Sequence, residues 1–188
     1  MKDIKKRQLW RNLVLVGLGL LLYCACNGNK HPQTGNPISQ MMGREILFEE
    51  LLLFNQQEGA TLHSLSENIN YSIIVYVDSS TCEDCSITTA LNIRGYQLEL
   101  QQKQRDDIRF IYIFNTQDIG SLQERLRGFG FYHYYFVDFE NTFLANNQIP
   151  SDKRFHTFLL HKNRVQVIGN PSANPKIKNL YNKALKIP

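Results

Sequence analysis

The chain has 188 residues, 43% of them hydrophobic and 20% charged, which suits one domain with a full core and excludes disorder along most of its length. The formal charge is +4, but Lys2, Lys5, Lys6, Arg7 and Arg11 crowd the start. Without them the remainder is close to neutral, so charge gives no argument for a nucleic-acid partner.

The opening "MKDIKKRQLWRN" is positively charged, Leu13 to Leu22 is apolar, and small and polar residues follow. This is the layout of a secretory signal. The apolar stretch is about half of the roughly 20 residues that a membrane-spanning helix needs. It resembles a bacterial lipoprotein signal, in which the residue after the cut is a cysteine that receives lipid. Cys26 fits that position because Ala25 before it is small, whereas Tyr23 before Cys24 is bulky. Tyr23 and Cys24 depart from the usual residues of such a signal. The resemblance implies residues 1–26 as signal, lipidation at Cys26, and attachment to the cell envelope, in the periplasm or at the outer membrane; the alternatives are plain cleavage and an uncleaved anchor. Residues 27–43, rich in Asn, Gly and Pro, read as a tether, and 44–188 as the folded domain.

Within that domain "REILFEELLLFNQQE", 44–58, places Ile46, Leu47, Phe48, Leu51, Leu52 and Phe54 at helical spacings. "YSIIVYV", Tyr71 to Val77, is apolar on both faces, as a central strand would be. After "DSSTCEDC" a helix is expected with Ile87, Ala90, Leu91 and Leu98 on its stripe and Gly95 as a possible bend. "IRFIYIF", Ile108 to Phe114, is a second buried strand. "QDIGSLQERLRGFG" is an amphipathic helix closed by Gly128, and "YYFVDF" a further strand. A loop with a helical turn leads to "FHTFLLH" and "RVQVIGN", which flank "KN" as a hairpin. The last helix should bury Ile177, Leu180, Tyr181 and Ala184. There is no internal repeat.

Strands and helices alternate and a hairpin closes the series, which predicts an α/β mixed sheet with helices on both faces. That order, with the CxxC between the first strand and its helix, resembles the thioredoxin fold over roughly Tyr71 to Ile187. The extra "YYFVDF" strand is similar to the insertion of TlpA-like and redoxin-type members. The stretch "IPSDKRFHTFLLHKNRVQVIGNP" is similar to thioredoxin-like lipoproteins common in Bacteroidetes.

With Cys24 and Cys26 assigned to the signal, the mature domain holds only Cys82 and Cys85. One CxxC supplies two of the four ligands of a structural zinc site, and an exported thiol pair is free to cycle between reduced and oxidised states. Cys82 would lie at a helix N-terminus, where unpaired N–H groups and the helix dipole favour the thiolate that attacks disulfides. Cys85, one turn on, can resolve the mixed disulfide. The family resemblance implies the same division of roles. Glu83 and Asp84 raise the thiol pKa and bias the pair towards a reductant, or simply complement the dipole of the first turn.

Two positions depart from the thioredoxin pattern. Thr81 stands where an aromatic residue usually precedes the first cysteine, and His156 stands where a cis-proline usually faces the site, Pro150 being too far upstream. His156 could approach Cys82 and favour its thiolate as an imidazolium, or be a loop residue without a role. Asp78 reads as a turn residue or as a proton relay to Cys85. Ser79 resembles the hydroxyl of peroxiredoxins, but Val75 replaces their proline. A metal on Cys82, Cys85 and His156 would have an unusual ligand set. The run "FGFYHYYFVDF" is a core strand or a sticky surface, and His133 within it has no evident partner.

The expectation is an envelope thiol-disulfide oxidoreductase, reducing in direction and needing no cofactor. It would be lipid-anchored to a membrane and would exchange electrons with disulfides of exported proteins or with a membrane thiol donor. The alternative is a binding lipoprotein in which Cys82 and Cys85 form a static disulfide.

Overall fold

A computed structural model describes residues 36–48, 51–54, 70–78, 87–88, 91–105 and 107–187, with the backbone alone at 52–54. The elements in chain order are α1 (Pro37–Met41), β1 (Leu52–Phe54), β2 (Tyr71–Asp78), α2 (Arg94–Gln102), β3 (Ile108–Asn115), α3 (Ile119–Gly128), β4 (Tyr135–Val137), α4 (Thr142–Asn146), a 3-10 turn (Lys153–Phe155), β5 (Thr157–His161), β6 (Arg164–Ile168) and α5 (Pro175–Ala184).

The strands form one mixed sheet in the order β1-β4-β3-β2-β5-β6. β2, β3 and β4 run parallel, while β1 is antiparallel to β4, β5 to β2 and β6 to β5. The uninterrupted apolar run of β2 is explained by its place. It has neighbours on both sides, and every residue from Ser72 to Val77 is buried. Ile73, Val75 and Val77 pack on one face with Ile93, Tyr96 and Leu100 of the α2 region, Leu122 and Leu126 of α3, and Tyr181 of α5. Ile74 and Tyr76 pack on the other with Met41, Ile46, Phe143 and Ile149. α2 and α3 share a face because both crossovers are between parallel neighbours and move the same way across the sheet.

Caps mark the helix starts. Asn36 and Asn174 cap helices with proline in the first turn, and the Asp118 carboxylate accepts from Ser121 N at 3.0 Å ahead of α3. α3 ends at a left-handed Gly130 (φ +65°), where Phe131 N–H reaches back to the Leu126 carbonyl at 2.8 Å. Gly130, two residues past Gly128, is the glycine that the stop requires. The β5–β6 turn has Lys162 and Asn163 both at positive φ, 50° and 63°, as a two-residue hairpin demands.

Three expectations are corrected. The stretch 44–58 is not a helix where it is described. Glu45 bridges Arg164 beside β6, and Leu52–Phe54 is an edge strand on β4. Asn147, 2% exposed, fixes the extended course by accepting from Leu47 N at 2.7 Å and donating to Leu47 O at 2.9 Å. Leu98 and Leu180 face solvent. The buried stripe of α2 is instead Tyr96, Gln97 and Leu100, and in α5 Tyr181 goes inward. Finally, the last residues of the stretch read as a tether form α1, whose Met41 is buried in the second core.

Candidate functional site

Cys82 and Cys85, with Ser79, Thr81, Glu83 and Asp84, lie outside the described residues, as do Cys24 and Cys26. In sequence both cysteines fall between Asp78, which ends β2, and Ile87, which is helical and buried in the first core. The described surroundings of this junction are the C-terminal ends of β2 and β3, paired as far as Asp78 and Asn115, and the residues just before β5.

His156 is brought to this end of the sheet. The 3-10 turn delivers it immediately ahead of Thr157, which pairs with Val75, and its carbonyl accepts from Tyr76 N at 2.9 Å. The side chain is 3% exposed. Nε2 lies 3.0 Å from the Pro150 carbonyl, which can only accept, so the ring proton is on Nε2 and the lone pair on Nδ1. Burial pushes the pKa below the usual histidine value, outweighing the upward pull of the Pro150 contact and of the Asp78 charge. His156 is therefore a neutral imidazole at neutral pH. Loss of hydration works against the imidazolium form that one of the two sequence readings of His156 called for, and Cys82 itself lies outside the described residues.

The His156 ring stands edge-on to Tyr76, centroids 5.3 Å apart. Tyr76 Oη lies 2.8 Å from Asn141 Oδ1 and 3.2 Å from Asp138 Oδ2. The Asp138 carboxylate, 2% exposed, also accepts from Thr142 N at 2.9 Å and Phe143 N at 3.0 Å and so caps α4. Burial first, and the Asp138 charge second, raise the Tyr76 pKa, so the phenol stays protonated. A buried polar chain thus runs from Pro150 through His156 and Tyr76 to the start of α4. Sequence reasoning missed Tyr76, Asp138 and Asn141; the acid four residues ahead of Thr142 was the available signal.

The other candidates separate. Val75 is wholly buried core. Asp78 is half-buried at the strand end, and its charge acts on His156. His133 has partners after all, stacked on Tyr112 at 5.9 Å and edge-on to Phe131 at 5.2 Å, and burial lowers its pKa. Within "FGFYHYYFVDF" Phe131, Tyr135, Phe136 and Val137 are core, whereas Tyr132 is 69% exposed. Among the described residues no group of three or more His, Cys, Asp or Glu is placed to hold a metal ion, and no helix is long and apolar enough to cross a membrane.

A central parallel β2–β3 pair extended by an antiparallel hairpin and covered by helices on both faces gives the chain a thioredoxin-like α/β fold. Its fold is similar to that of a domain of a possible thiol-disulfide isomerase from Cytophaga hutchinsonii, with a TM-score of 0.52 and 18% identity over 78% of this chain and 97% of that one. A thioredoxin-like protein from Bacteroides caccae is also similar, with a TM-score of 0.46 and 14% identity over 74% of this chain. The chain spans about half the length of that protein, 49%. No family model and no curated protein matches the chain. The likeness is one of fold, consistent with the topology expected from the order of elements.

Proposed function

We propose that the chain is an envelope thiol-disulfide oxidoreductase that works in the reducing direction, with Cys82 as nucleophile and Cys85 as resolving thiol. The observation that carries this reading is the position of the CxxC in the chain, between the last residue of a central strand buried from Ser72 to Val77 and a helical, core-packed Ile87. In the reaction the Cys82 thiolate attacks one sulfur of a substrate disulfide and expels the other as a thiolate. The Cys85 thiolate then attacks Cys82, releases the second substrate thiol and leaves a Cys82–Cys85 disulfide. Two electrons pass to the substrate, and an external dithiol must restore the pair. His156 enters as a positioning residue: its Nε2 bond to the Pro150 carbonyl and its buried contact with Tyr76 shape the end of the sheet from which the cysteine segment departs.

Lipidation at Cys26 would hold the domain at a membrane facing exported proteins. Mass spectrometry of the chain from its native membranes would show a diacylglyceryl-modified residue 26, and an unmodified residue there would end the anchoring proposal.

The competing reading is a binding lipoprotein with a static Cys82–Cys85 disulfide. It is favoured by His156, since the residue preceding β5 in this chain is a buried histidine bonded to Pro150 and not proline. Alkylation across pH, with and without reductant, separates the two. The oxidoreductase reading requires one cysteine that alkylates as an accessible thiolate and a pair that is reversibly oxidised. A disulfide that resists reductant establishes the static form, and reduced thiols that stay inert to alkylation end the oxidoreductase reading. Equilibration with glutathione fixes the direction, a potential near ~−120 mV, as in strong oxidants, being incompatible with a reductant.

A further inference from the structure

A second feature lies at the other end of the strands. The Phe114 carbonyl accepts from Asp138 N at 2.9 Å on the β4 side. Backbone polar groups alternate sides along a parallel ladder, so those of Tyr112, Phe110 and Ile108 turn the same way. Tyr112 is opposite Tyr135, where β4 begins. Below it β3 continues to Ile108 with β2 on one side only. The Ile108 N–H is occupied by the Arg105 carbonyl at 3.4 Å. The Phe110 N–H and C=O and the Ile108 C=O have no strand beside them among the described residues.

This open edge borders a cavity of about 320 Å³ lined by Gln97 and Gln101 of α2, Phe110 and Tyr112 of β3, and His133 and Tyr134 ahead of β4. Arg109 is also on its wall, and the Arg109 Nη1 is buried without a hydrogen-bond partner. Arg109 is half-buried, so one nitrogen of its guanidinium is sheltered and unpaired while the group keeps its charge at the slot, where a carboxylate would pair with it. Exposed ladder groups likewise favour a further strand.

We propose that the open edge of β3 takes up an extended peptide segment bearing an aspartate or glutamate, laid where β4 would run if it were longer, with its carboxylate on Arg109. The Phe110 and Ile108 ladder groups supply the main-chain bonds, and the aromatic and glutamine side chains line the slot. Two features select a peptide over a free small acid: the orphan donor and acceptor belong to a strand edge, and the cavity follows that edge.

The test uses the full chain and three blocked hexapeptides: one of alternating valine and threonine with a central glutamate, the same peptide with glutamine, and the glutamate peptide N-methylated at alternate residues on either edge. Binding is followed by calorimetry and by hydrogen exchange at the Phe110 amide. The glutamate peptide should bind and slow Phe110 exchange, with about a tenfold loss for the glutamine peptide and a larger loss for the methylated ones. Arg109→Gln should bring the glutamate and glutamine peptides to equal affinity without changing exchange in the rest of the sheet. Equal binding of all the peptides, no binding at millimolar concentration, or slow Phe110 exchange before any peptide is added would overturn the proposal; the last would mean that the chain itself fills the slot.

Discussion

Two buried tyrosines make the residue scale instructive, because the same substitution should act on them with opposite sign. The Tyr76 hydroxyl is bonded to Asn141 and Asp138, so Tyr76→Phe strips a donor from a buried carboxylate. A loss of about 1–2 kcal/mol is expected in urea denaturation. The Tyr181 hydroxyl is buried with no partner among the described residues. Tyr181→Phe removes an unpaired polar atom and keeps the edge-on contact with Tyr96, 5.9 Å between centroids. It should raise stability by about 1 kcal/mol, and a fall in the midpoint would refute this. His156 adds a pH dependence. Its native pKa is lowered by burial, while the unfolded imidazole titrates near ~6.5. As pH falls below that value the unfolded chain takes up a proton that the native state refuses. The stability it contributes is intact above ~6.5, drains down to the native pKa, and is flat below it, with a slope of at most ~1.4 kcal/mol per pH unit. His133, shifted the same way, adds with the same sign. Urea midpoints between pH 7.5 and 5 should fall, and His156→Gln, which keeps an amide donor for the Pro150 carbonyl, should remove part of that slope.

Elements were legible in the sequence in proportion to how far their pattern determined their surroundings. β2 and β3 announced themselves through continuous apolar runs, and the hairpin through "KN" between "FHTFLLH" and "RVQVIGN". Both hairpin residues pay for left-handed backbone, so replacing Lys162–Asn163 with Asn-Gly should stabilise the chain by about 1 kcal/mol in thermal or urea unfolding. The 44–58 stretch misled because "EILFEELLLF" satisfies a helical period while its extended course is imposed from outside, by Asn147 clasping Leu47 and by β6 beside Glu45. Leu98 and Leu180 misled for a related reason. Spacing gives a helix its stripe but not its phase, and in α2 that phase is set by burial of Tyr96 and of Gln97, whose Oε1 accepts from Tyr112 Oη at 3.0 Å. His156 and the acid ahead of Thr142 could each be picked out alone, but the link between His156, Tyr76 and Asp138 was illegible because its members lie far apart in sequence. The cysteine pair was read from its spacing and its place after β2, and it lies outside the described residues.

At the scale of the whole molecule, β2 and β3 serve both cores, so the two layers of helices do not have separate sheets on which to fold. Ile74 belongs to one core and Val75 to the other, and both are fully buried. Ile74→Ala and Val75→Ala should each cost about 2–4 kcal/mol, and each should shift a single transition without changing its denaturant slope. Two transitions, or a reduced slope in either variant, would show that the layers unfold separately.

The cation beside the bare stretch of β3 bears on solubility as well. A strand edge left open among the described residues is an adhesive surface for another copy of itself, and two such molecules meeting edge to edge would each bring a half-buried Arg109 guanidinium to the seam. Like charges brought together at such a seam and partly sheltered from solvent repel, so Arg109 would discourage homotypic zippering while leaving the ladder open to strands of opposite sign.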